Sequence, residues 1–240
     1  MRYFGLIGYP LVHSFSAGYF NEKFSRERID AEYSLLEIAS IEELGNHVRN
    51  LTGFNVTIPY KKAVIPYLAQ IADEARAVGA VNCVKVDSEG RLHGYNTDVE
   101  GIRATLAQCG DLSGVKALVL GSGGAAAAVR FVLKEANIDF MTVSRSGDRG
   151  NCTYSDLTGE IIREHRLIIN TTPLGMYPET DAMPDIPYSA LTDGHILFDL
   201  IYNPEQTRFL QEGASRGART FNGREMFVRQ AEASWRIWNQ

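Results

Sequence analysis

Three small residues are spaced as in a nucleotide-binding turn. Gly121, Gly123 and Ala126 follow the apolar run Ala117–Leu120 and open a Gly-free, Pro-free stretch at 125–136. Gly121 permits a sharp turn out of a strand, Gly123 lets backbone approach a pyrophosphate, and Ala126 permits close helix packing. The following helix would offer N–H groups to the anion. The pattern predicts a dinucleotide site; a bare glycine turn is the alternative.

The residues after the next apolar run indicate which dinucleotide. Residues 140–143 are followed by Ser144, Arg145, Ser146 and later Arg149. An NAD site usually has an acidic residue here to hold the ribose 2′-hydroxyl. An arginine fork suits a 2′-phosphate instead. We therefore expect NADP; if both arginines are only solvated loop charges, this expectation fails.

Polar residues gather where other predicted strands end, and ligands of open α/β sheets usually bind at such ends. Four clusters qualify: His13, Ser14 and Ser16; Asn55, Thr57 and Lys61; Asn82; and Asn96, Thr97 and Asp98. Each cluster also has a purely structural interpretation. Ser16 and Asp98 could cap helices, and Lys61 could be a solvated lysine. Asn82 lies in an apolar strand, where a buried amide needs partners.

These residues require a framework of alternating strands and helices. Strand, glycine turn, helix and strand at 117–143 form a βαβ unit with a right-handed crossover. Apolar runs predict further strands at 3–7, 32–37, 54–58, 80–86, 92–95, 167–170, 196–200 and 219–221. Periodicity and capping residues predict helices at 16–27, after Ser40, and at 99–109, 204–216 and 224–238. The chain is therefore α/β, with two domains at 1–101 plus 222–240 and at 102–221.

Composition narrows the class of protein. The 240 residues carry a net charge of −5. This charge gives no sign of the basic surface that nucleic-acid binding requires, so we expect no nucleic-acid partner. No apolar run approaches the ~18 residues of a membrane span, and we expect no membrane partner. The three cysteines, Cys83, Cys109 and Cys152, lack metal-ligand spacing, so no metal site is expected. Scattered cysteines fit reduced thiols in a cytoplasm. Composition and residue spacing alone predict an NADP-binding α/β protein with a polar cleft, and nothing more specific.

Several motifs in order resemble the shikimate dehydrogenase family. They are GLIGYPLVHSFS, GFNVTIPYK, GAVN, GYNTD, LGSGGAAAA, SRSGDR, IINTTPLGM, LIYNP and NGREMFVRQA. The resemblance implies an N-terminal α/β substrate domain and a Rossmann NADP-binding domain around a central cleft. It also implies NADPH-dependent, reversible reduction of 3-dehydroshikimate to shikimate in aromatic amino-acid biosynthesis. The substrate would be a small molecule, and the protein a monomer or homodimer.

The resemblance also implies roles for single residues. Lys61 and Asp98 would be the catalytic pair. The substrate would be bound by Ser14, Ser16, Asn55, Thr57, Asn82, Thr97, Tyr202 and Gln230. The cofactor would be bound by Gly121, Ser122, Gly123, Gly124, Ala125, Ser144, Arg145, Arg149, Thr171, Met176 and Met226. The chain departs from the family pattern at Ala17, Val99, Ser144, Ser146 and Asn222.

Two other functions compete with this one. The first is a quinate/shikimate dehydrogenase that uses NAD. Quinate has an extra hydroxyl on the carbon that bears the carboxylate, so the surroundings of Ser14 and Ser16 would decide. The second is a non-catalytic paralogue that binds ligand, against which the presence of Lys61 and Asp98 argues.

Overall fold

A computed structural model describes residues 1–11, 14–147 and 150–240. These form two compact units, one of residues 1–97 with 231–240 and the other of residues 98–230. The boundaries expected from sequence were at 101/102 and 221/222, so the structure assigns the start of one helix and half of the last helix differently. Each unit contains one six-stranded sheet.

The first unit is built on a mixed sheet. In chain order its strands are β1 (Arg2–Gly8), β2 (Ala31–Glu37), β3 (Gly53–Val56), β4 (Gln70–Ile71), β5 (Cys83–Val86) and β6 (Leu92–Tyr95). Their spatial order is β2-β1-β3-β5-β6-β4. Strand β1 is parallel to both β2 and β3, so the carboxyl ends of β1 and β3 lie at one edge. Strands β5 and β6 form the predicted antiparallel hairpin, whose turn is closed by Asp87.

Three helices belong wholly to this unit: α1 (Ser16–Glu27), α2 (Leu44–His47) and α3 (Asp73–Val78). Helix α1 packs an aromatic face on the sheet because Phe20 and Phe24 recur at helical spacing. The ring of Phe20 stacks on Tyr33 with centroids 4.6 Å apart. Trp238 stacks on Phe4 at 4.8 Å, and its indole N–H donates to the carbonyl of Val84. The last residues of the chain therefore complete this core.

The second unit has an all-parallel sheet. Its strands are β7 (Ala117–Leu120), β8 (Phe140–Ser144), β9 (Cys152–Thr153), β10 (Leu167–Asn170), β11 (Ile196–Asp199) and β12 (Arg219–Phe221). They lie in the order β12-β11-β10-β7-β8-β9. This is the Rossmann order, in which the strand sequence reverses between β7 and β10. The four residues of β7, β10 and β11 are all buried, as the unbroken apolar runs predicted.

The remaining helices are α4 (Asp98–Gln108), α5 (Gly124–Glu135), α6 (Gly159–Glu164), α7 (Arg208–Ser215) and α8 (Arg224–Trp238). Helix α8 contributes its residues up to Gln230 to the second unit and the rest to the first. None of the helices in the described ranges is long and apolar enough to span a membrane. Among the same residues, no group of three or more His, Cys, Asp or Glu side chains is arranged to hold a metal ion.

The structure differs from the sequence interpretation in three details, although the helix expected at 16–27 is confirmed. Helix α7 begins at Arg208 and not at 204, because the Thr207 hydroxyl accepts from the Leu210 N–H and the carbonyl of Glu205 is taken by Asn222. Ser16 is the first residue of α1 rather than its cap, which is Phe15. Helix α6 and the short strands β4 and β9 were not predicted, because two to six residues carry too little periodicity.

Candidate active site

The turn after β7 is packed so tightly that only glycine fits at its first position. Gly121 has a φ of +114°, and a Cβ built on it would lie 2.5 Å from Thr171 Oγ1. That hydroxyl donates to the carbonyl of Leu120 at 2.7 Å. The ends of β7 and β10 therefore touch at the point where the strand order reverses. Ligands of such sheets bind at this point.

The beginning of helix α5 is open beside this turn. Gly123 is the extended N-cap residue, with no side-chain hydrogen bond, and a Cβ built on it would meet nothing within 4 Å. Ser122, Gly124 and Ala125 are half-buried around it. The first N–H groups of a helix lack intrahelical acceptors, and together they attract an anion. The residues present thus fit the pyrophosphate of a dinucleotide.

Hydrogen bonds hold the described residues at the end of β8. Ser144 is buried, and its hydroxyl donates to the carbonyl of Ser146. Asn151 and Thr142 form two hydrogen bonds. The Asn151 N–H donates to the Thr142 carbonyl at 2.8 Å, and the Thr142 N–H donates to the Asn151 side-chain oxygen at 2.9 Å. Arg145, which lies between these bonded residues in the chain, is exposed. Arg149 lies outside the described residues.

Tyr154, near Arg145, is half-buried with a buried hydroxyl. Burial raises the pKa of Tyr154 to about 12, while the positive charge of Arg145 acts in the opposite direction. Its hydroxyl has no hydrogen-bond partner in the described part of the chain. Sequence reasoning did not select this residue, because a tyrosine after a two-residue strand gives no motif.

A second loop, residues 171–176, lies at the carboxyl end of β10. Asn170 anchors it: the Asn170 side-chain oxygen accepts from the N–H and the hydroxyl of Thr172, at 3.0 and 2.7 Å. Met176 is 42% exposed. Thr171 and Met176, both predicted to bind the cofactor, therefore belong to a loop that two strand ends fix.

The other predicted residues of the second unit lie around the start of α8. Tyr202 packs on the ring of Phe227 with centroids 4.8 Å apart. Met226 is buried, and its carbonyl would lie 2.5 Å from a Cβ built on Gly101. Gln230 is half-buried, with its amide donating to the carbonyl of Phe227 at 3.0 Å.

In the first unit, the ends of β1 and β3 meet closely. A Cβ built on Gly8 would lie 2.5 Å from the Thr57 methyl, so Thr57 covers the end of β1. Ser14 and Ser16 are both half-buried, and the Ser14 hydroxyl accepts from the Ser16 N–H at 3.3 Å. The two serines therefore share one turn at the beginning of α1. His13, singled out with them, lies outside the described residues.

The buried side chain of Asn55 is committed largely to the protein. Its oxygen accepts from the Tyr33 hydroxyl at 2.9 Å, and its NH₂ donates to the Asn82 carbonyl at 3.0 Å and the Ser234 hydroxyl at 2.9 Å. Because an amide has two donor hydrogens, both are used here. A substrate contact, if made, would use its oxygen.

Asn82 is oriented by the residue that precedes Asp98. Its side-chain oxygen accepts from the N–H and the hydroxyl of Thr97, and the Thr97 hydroxyl also lies 3.1 Å from that of Ser234. The amide nitrogen of Asn82 therefore faces away from Thr97. This supplies the partners that a buried amide in an apolar strand requires.

The backbone of Lys61 is tied to the same segment. Its carbonyl accepts from the Val81 N–H at 2.8 Å, immediately before Asn82. Lys61 is half-buried whereas the adjacent Lys62 is exposed, so Lys61 is not a fully solvated lysine. Asp98 is only 4% exposed as the first residue of α4. The motifs around 61, 82 and 97 are thus joined by hydrogen bonds inside one unit.

Sequence reasoning missed the supports of these sites. Tyr33 and Ser234 hold Asn55 from β2 and α8, and neither stands in a recognisable pattern. Asn170 lies in the motif IINTTPLGM, so its anchoring role had a signal. Asp199 and Thr207 carry a further set of buried hydrogen bonds described below.

Comparison with known proteins identifies relatives of this chain. A family model for the shikimate dehydrogenase substrate binding domain matches residues 6–84. The NADP(+)-dependent shikimate dehydrogenase of Carboxydothermus hydrogenoformans is 37% identical over 254 residues, covering 98% of this chain and 90% of that protein. The enzyme of the same name from Shouchella clausii is 40% identical over 257 residues, covering 99% and 92%.

A solved structure has the same fold throughout. The shikimate 5-dehydrogenase of Thermus thermophilus, in complex with NADP(H) and shikimate, superposes with a TM-score of 0.88 at 31% identity. The match covers 99% of this chain and 93% of that one. With the family confirmed over nearly the full length of both chains, this chain belongs to the shikimate dehydrogenase family.

Proposed function

We propose that this chain catalyses the reversible, NADPH-dependent reduction of 3-dehydroshikimate to shikimate. Full-length relatives with this activity and a neighbour bound to NADP(H) and shikimate support the assignment. The observation that carries it for this chain is the hydrogen-bonded set that ties Lys61, Asn82 and Thr97 together. These residue types suit a substrate rich in hydroxyl groups.

In this proposal the bound cofactor supplies the hydride. A ketone that receives a hydride must also gain a proton on oxygen. The Lys61 ammonium polarises that oxygen and donates the proton, and the Asp98 carboxylate orients the ammonium and binds a ring hydroxyl. Lys61 returns to the ammonium form by taking a proton from water.

The remaining polar residues bind and orient the substrate. Ser14 and Ser16 bind the carboxylate, while Thr57, Asn82, Thr97 and Gln230 bind ring hydroxyls, and Asn55 does so through its oxygen. Each polar group that a substrate buries without a partner costs ~1–3 kcal/mol, so such a set discriminates strongly among sugars and ring acids. We also propose Tyr202 as a substrate-binding residue.

The second unit binds the cofactor. The open helix end at Gly123 accommodates the pyrophosphate, Ser144 and the exposed Arg145 bind the adenosine ribose and its 2′-phosphate, and Arg149 adds a second charge. Thr171, Met176 and Met226 contact the nicotinamide half. We propose the functional division into residues 1–101 plus 222–240 for substrate and 102–221 for cofactor, which the match of residues 6–84 supports.

The next part of the proposal concerns the cell compartment, the oligomeric state and the partners of the enzyme. We propose a cytoplasmic protein, a monomer or homodimer, without membrane or nucleic-acid partners. The three unpaired cysteines, of which Cys83 and Cys109 are buried, support a reducing compartment.

One assay tests the function. Purified protein is mixed with shikimate or quinate and with NADP⁺ or NAD⁺, and absorbance of the reduced cofactor is followed. We expect the highest kcat/KM for shikimate with NADP⁺. A higher kcat/KM for quinate with NAD⁺ would establish the sister activity, and no turnover despite measurable shikimate binding would establish a non-catalytic paralogue.

A further inference from the structure

A buried carboxylate occupies the end of β11. Asp199 is fully buried and receives three hydrogen bonds, from Asn170 Nδ2 at 3.0 Å, from the Ile201 N–H at 3.0 Å and from Thr207 Oγ1 at 2.6 Å. Among the described residues it forms no ion pair. Burying a carboxylate without a cation is costly, so the site requires more explanation than packing alone.

The Asp199 hydrogen bonds reach two loops. Asn170 gives its NH₂ to Asp199 and uses its oxygen to accept from the N–H and hydroxyl of Thr172. The Thr172 hydroxyl in turn accepts from the Leu174 N–H at 3.3 Å. On the other side, the Ile201 N–H fixes the segment that leads to Tyr202.

Further contacts show that these loops are held as one piece. The Tyr177 N–H donates to the Asn203 carbonyl at 3.2 Å, which joins the two loops directly. A Cβ on Gly175, which has a φ of +95°, would lie 3.4 Å from Thr207 Cβ. Thr207 thus supports the first loop by contact and the second through Asp199.

The sheet order indicates which half of the cofactor these loops face. A dinucleotide lies across the reversal of strand order, with one nucleotide over each half of the sheet. The glycine turn and Arg145 follow β7 and β8, which is the adenosine half. Strands β10 and β11 lie on the other side of β7, so their end loops face the nicotinamide half.

We propose that Asp199 is a positioning residue that holds residues 171–176 and 201–203 in the shape that receives the nicotinamide half of NADP. This rests on the proposed function only for the identity of the cofactor. A carboxylate suits the position because it is an acceptor only and can satisfy three converging donors. Its isosteric amide has only one acceptor oxygen, so with that oxygen on Asn170 and Ile201 the NH₂ faces Thr207 Oγ1, and the Thr207 hydroxyl loses its acceptor.

The test measures binding without turnover. Calorimetric Kd values are determined for NADP⁺, for adenosine 2′,5′-bisphosphate, which lacks the nicotinamide half, and for shikimate. Variants Asp199→Asn and Thr207→Val remove one acceptor and one donor of the set. Thr207→Ser retains the hydroxyl, and Thr105→Val removes an equally buried hydroxyl that donates to the Gly101 carbonyl in α4.

We expect Asp199→Asn and Thr207→Val to raise the Kd of NADP⁺ by about tenfold or more while the bisphosphate and shikimate change less than twofold. Thr207→Ser should restore NADP⁺ binding, and Thr105→Val should leave all three affinities unchanged. Equal weakening of NADP⁺ and the bisphosphate, or no weakening of either, would overturn the inference. If Asp199→Asn does not fold, the Thr207→Val and Thr207→Ser pair decides.

These Kd values, together with the shikimate oxidation assay of the proposed function, separate this inference from the proposed function. Unmutated protein that binds NADP⁺ but does not oxidise shikimate would contradict the function alone. Protein that oxidises shikimate with NADP⁺ and shows unchanged affinity in Thr207→Val would contradict the role of Asp199 alone.

Discussion

The side-chain oxygen of Asn82 accepts two hydrogen bonds from Thr97, one from its backbone N–H at 2.7 Å and one from its hydroxyl at 3.2 Å. This double contact joins the strand that follows Lys61 to the residue before Asp98. It explains how two short motifs from opposite strands of a hairpin act as one support.

We expect Asn82→Ala to damage both stability and activity. The buried Thr97 N–H would lose its acceptor while the Thr97 hydroxyl would keep Ser234, which should lower the free energy of unfolding by ~1–3 kcal/mol. The kcat/KM for shikimate should fall at least ~10-fold because, in the proposed function, the Asn82 amide also binds a ring hydroxyl of the substrate. Chemical denaturation and steady-state kinetics measure the two effects.

Asn21→Ala is a control for the loss of two hydrogen bonds, made here by an exposed side chain. Asn21 also makes two hydrogen bonds to one residue, the N–H and carbonyl of Tyr33, at 2.9 and 2.8 Å. It should lose stability while the KM for shikimate stays within about twofold. Normal kcat/KM in Asn82→Ala would show that Asn82 is structural only.

Lys61→Ala should lower kcat by ~10²-fold or more, the low end for lost acid–base catalysis, with little change in KM. Lys62→Ala is the control, since Lys62 is the exposed neighbour with the same charge. It should keep kcat within about twofold. Comparable loss in the two variants, or near-normal kcat in Lys61→Ala, would remove Lys61 from the mechanism.

Two glycine substitutions separate fold from ligand in the nucleotide turn. A Cβ at Gly123 would meet nothing within 4 Å, so Gly123→Ala should keep the melting temperature of the unmutated protein. The added methyl group should still raise the Kd of NADP⁺ at least ~10-fold, because it blocks the pyrophosphate. Gly121→Ala should also lower the melting temperature, because its φ of +114° and the Thr171 contact oppose a side chain. Unchanged NADP⁺ affinity in Gly123→Ala would place the pyrophosphate elsewhere.

Arg145 should set the choice of cofactor. We expect the unmutated protein to favour NADP over NAD by at least ~10-fold in kcat/KM, since a guanidinium matches a phosphate dianion. Arg145→Ala should remove most of this preference by weakening NADP and sparing NAD. Arg216→Ala, an exposed charge in the same unit, should leave the ratio unchanged. Equal loss for both cofactors in Arg145→Ala would make Arg145 a general loop charge.

Stability should depend on pH through Asp199. Burial raises its pKa to about 7 from 3.8, although the hydrogen bonds from Thr207, Ile201 and Asn170 act in the opposite direction. The Asp199 carboxyl group therefore binds a proton more tightly in the folded state than in the unfolded chain. Its contribution to stability is fully present below about pH 4 and is lost as pH rises through about 7.

Denaturation of unmutated protein and Asp199→Asn at several pH values measures this contribution. Other groups titrate in both proteins, so the difference in unfolding free energy isolates Asp199. The unfolding free energy of the unmutated protein minus that of Asp199→Asn should decline between about pH 4 and 7, by up to a few kcal/mol. Parallel pH curves would show that Asp199 keeps the same protonation in both states.

The sequence alone was enough to determine the α/β class, the glycine turn and most strand positions. These features are local: a buried parallel strand appears as an unbroken apolar run, and a tight turn needs glycine. Strands β7, β10 and β11 lie where the runs at 117–120, 167–170 and 196–200 predicted. The ordered motifs also identified the family, which the comparisons confirmed.

Only the tertiary structure decided which polar groups are partners. Asn55 and Ser234 are 179 residues apart in sequence, yet they share a hydrogen bond that commits an expected substrate ligand to the protein. The apolar run at 196–200 predicts only a buried strand around Asp199. The helix predicted at 204–216 includes Thr207, whereas the observed helix begins after it. Hydrogen-bond partners depend on where distant segments meet, and residue spacing carries no record of that.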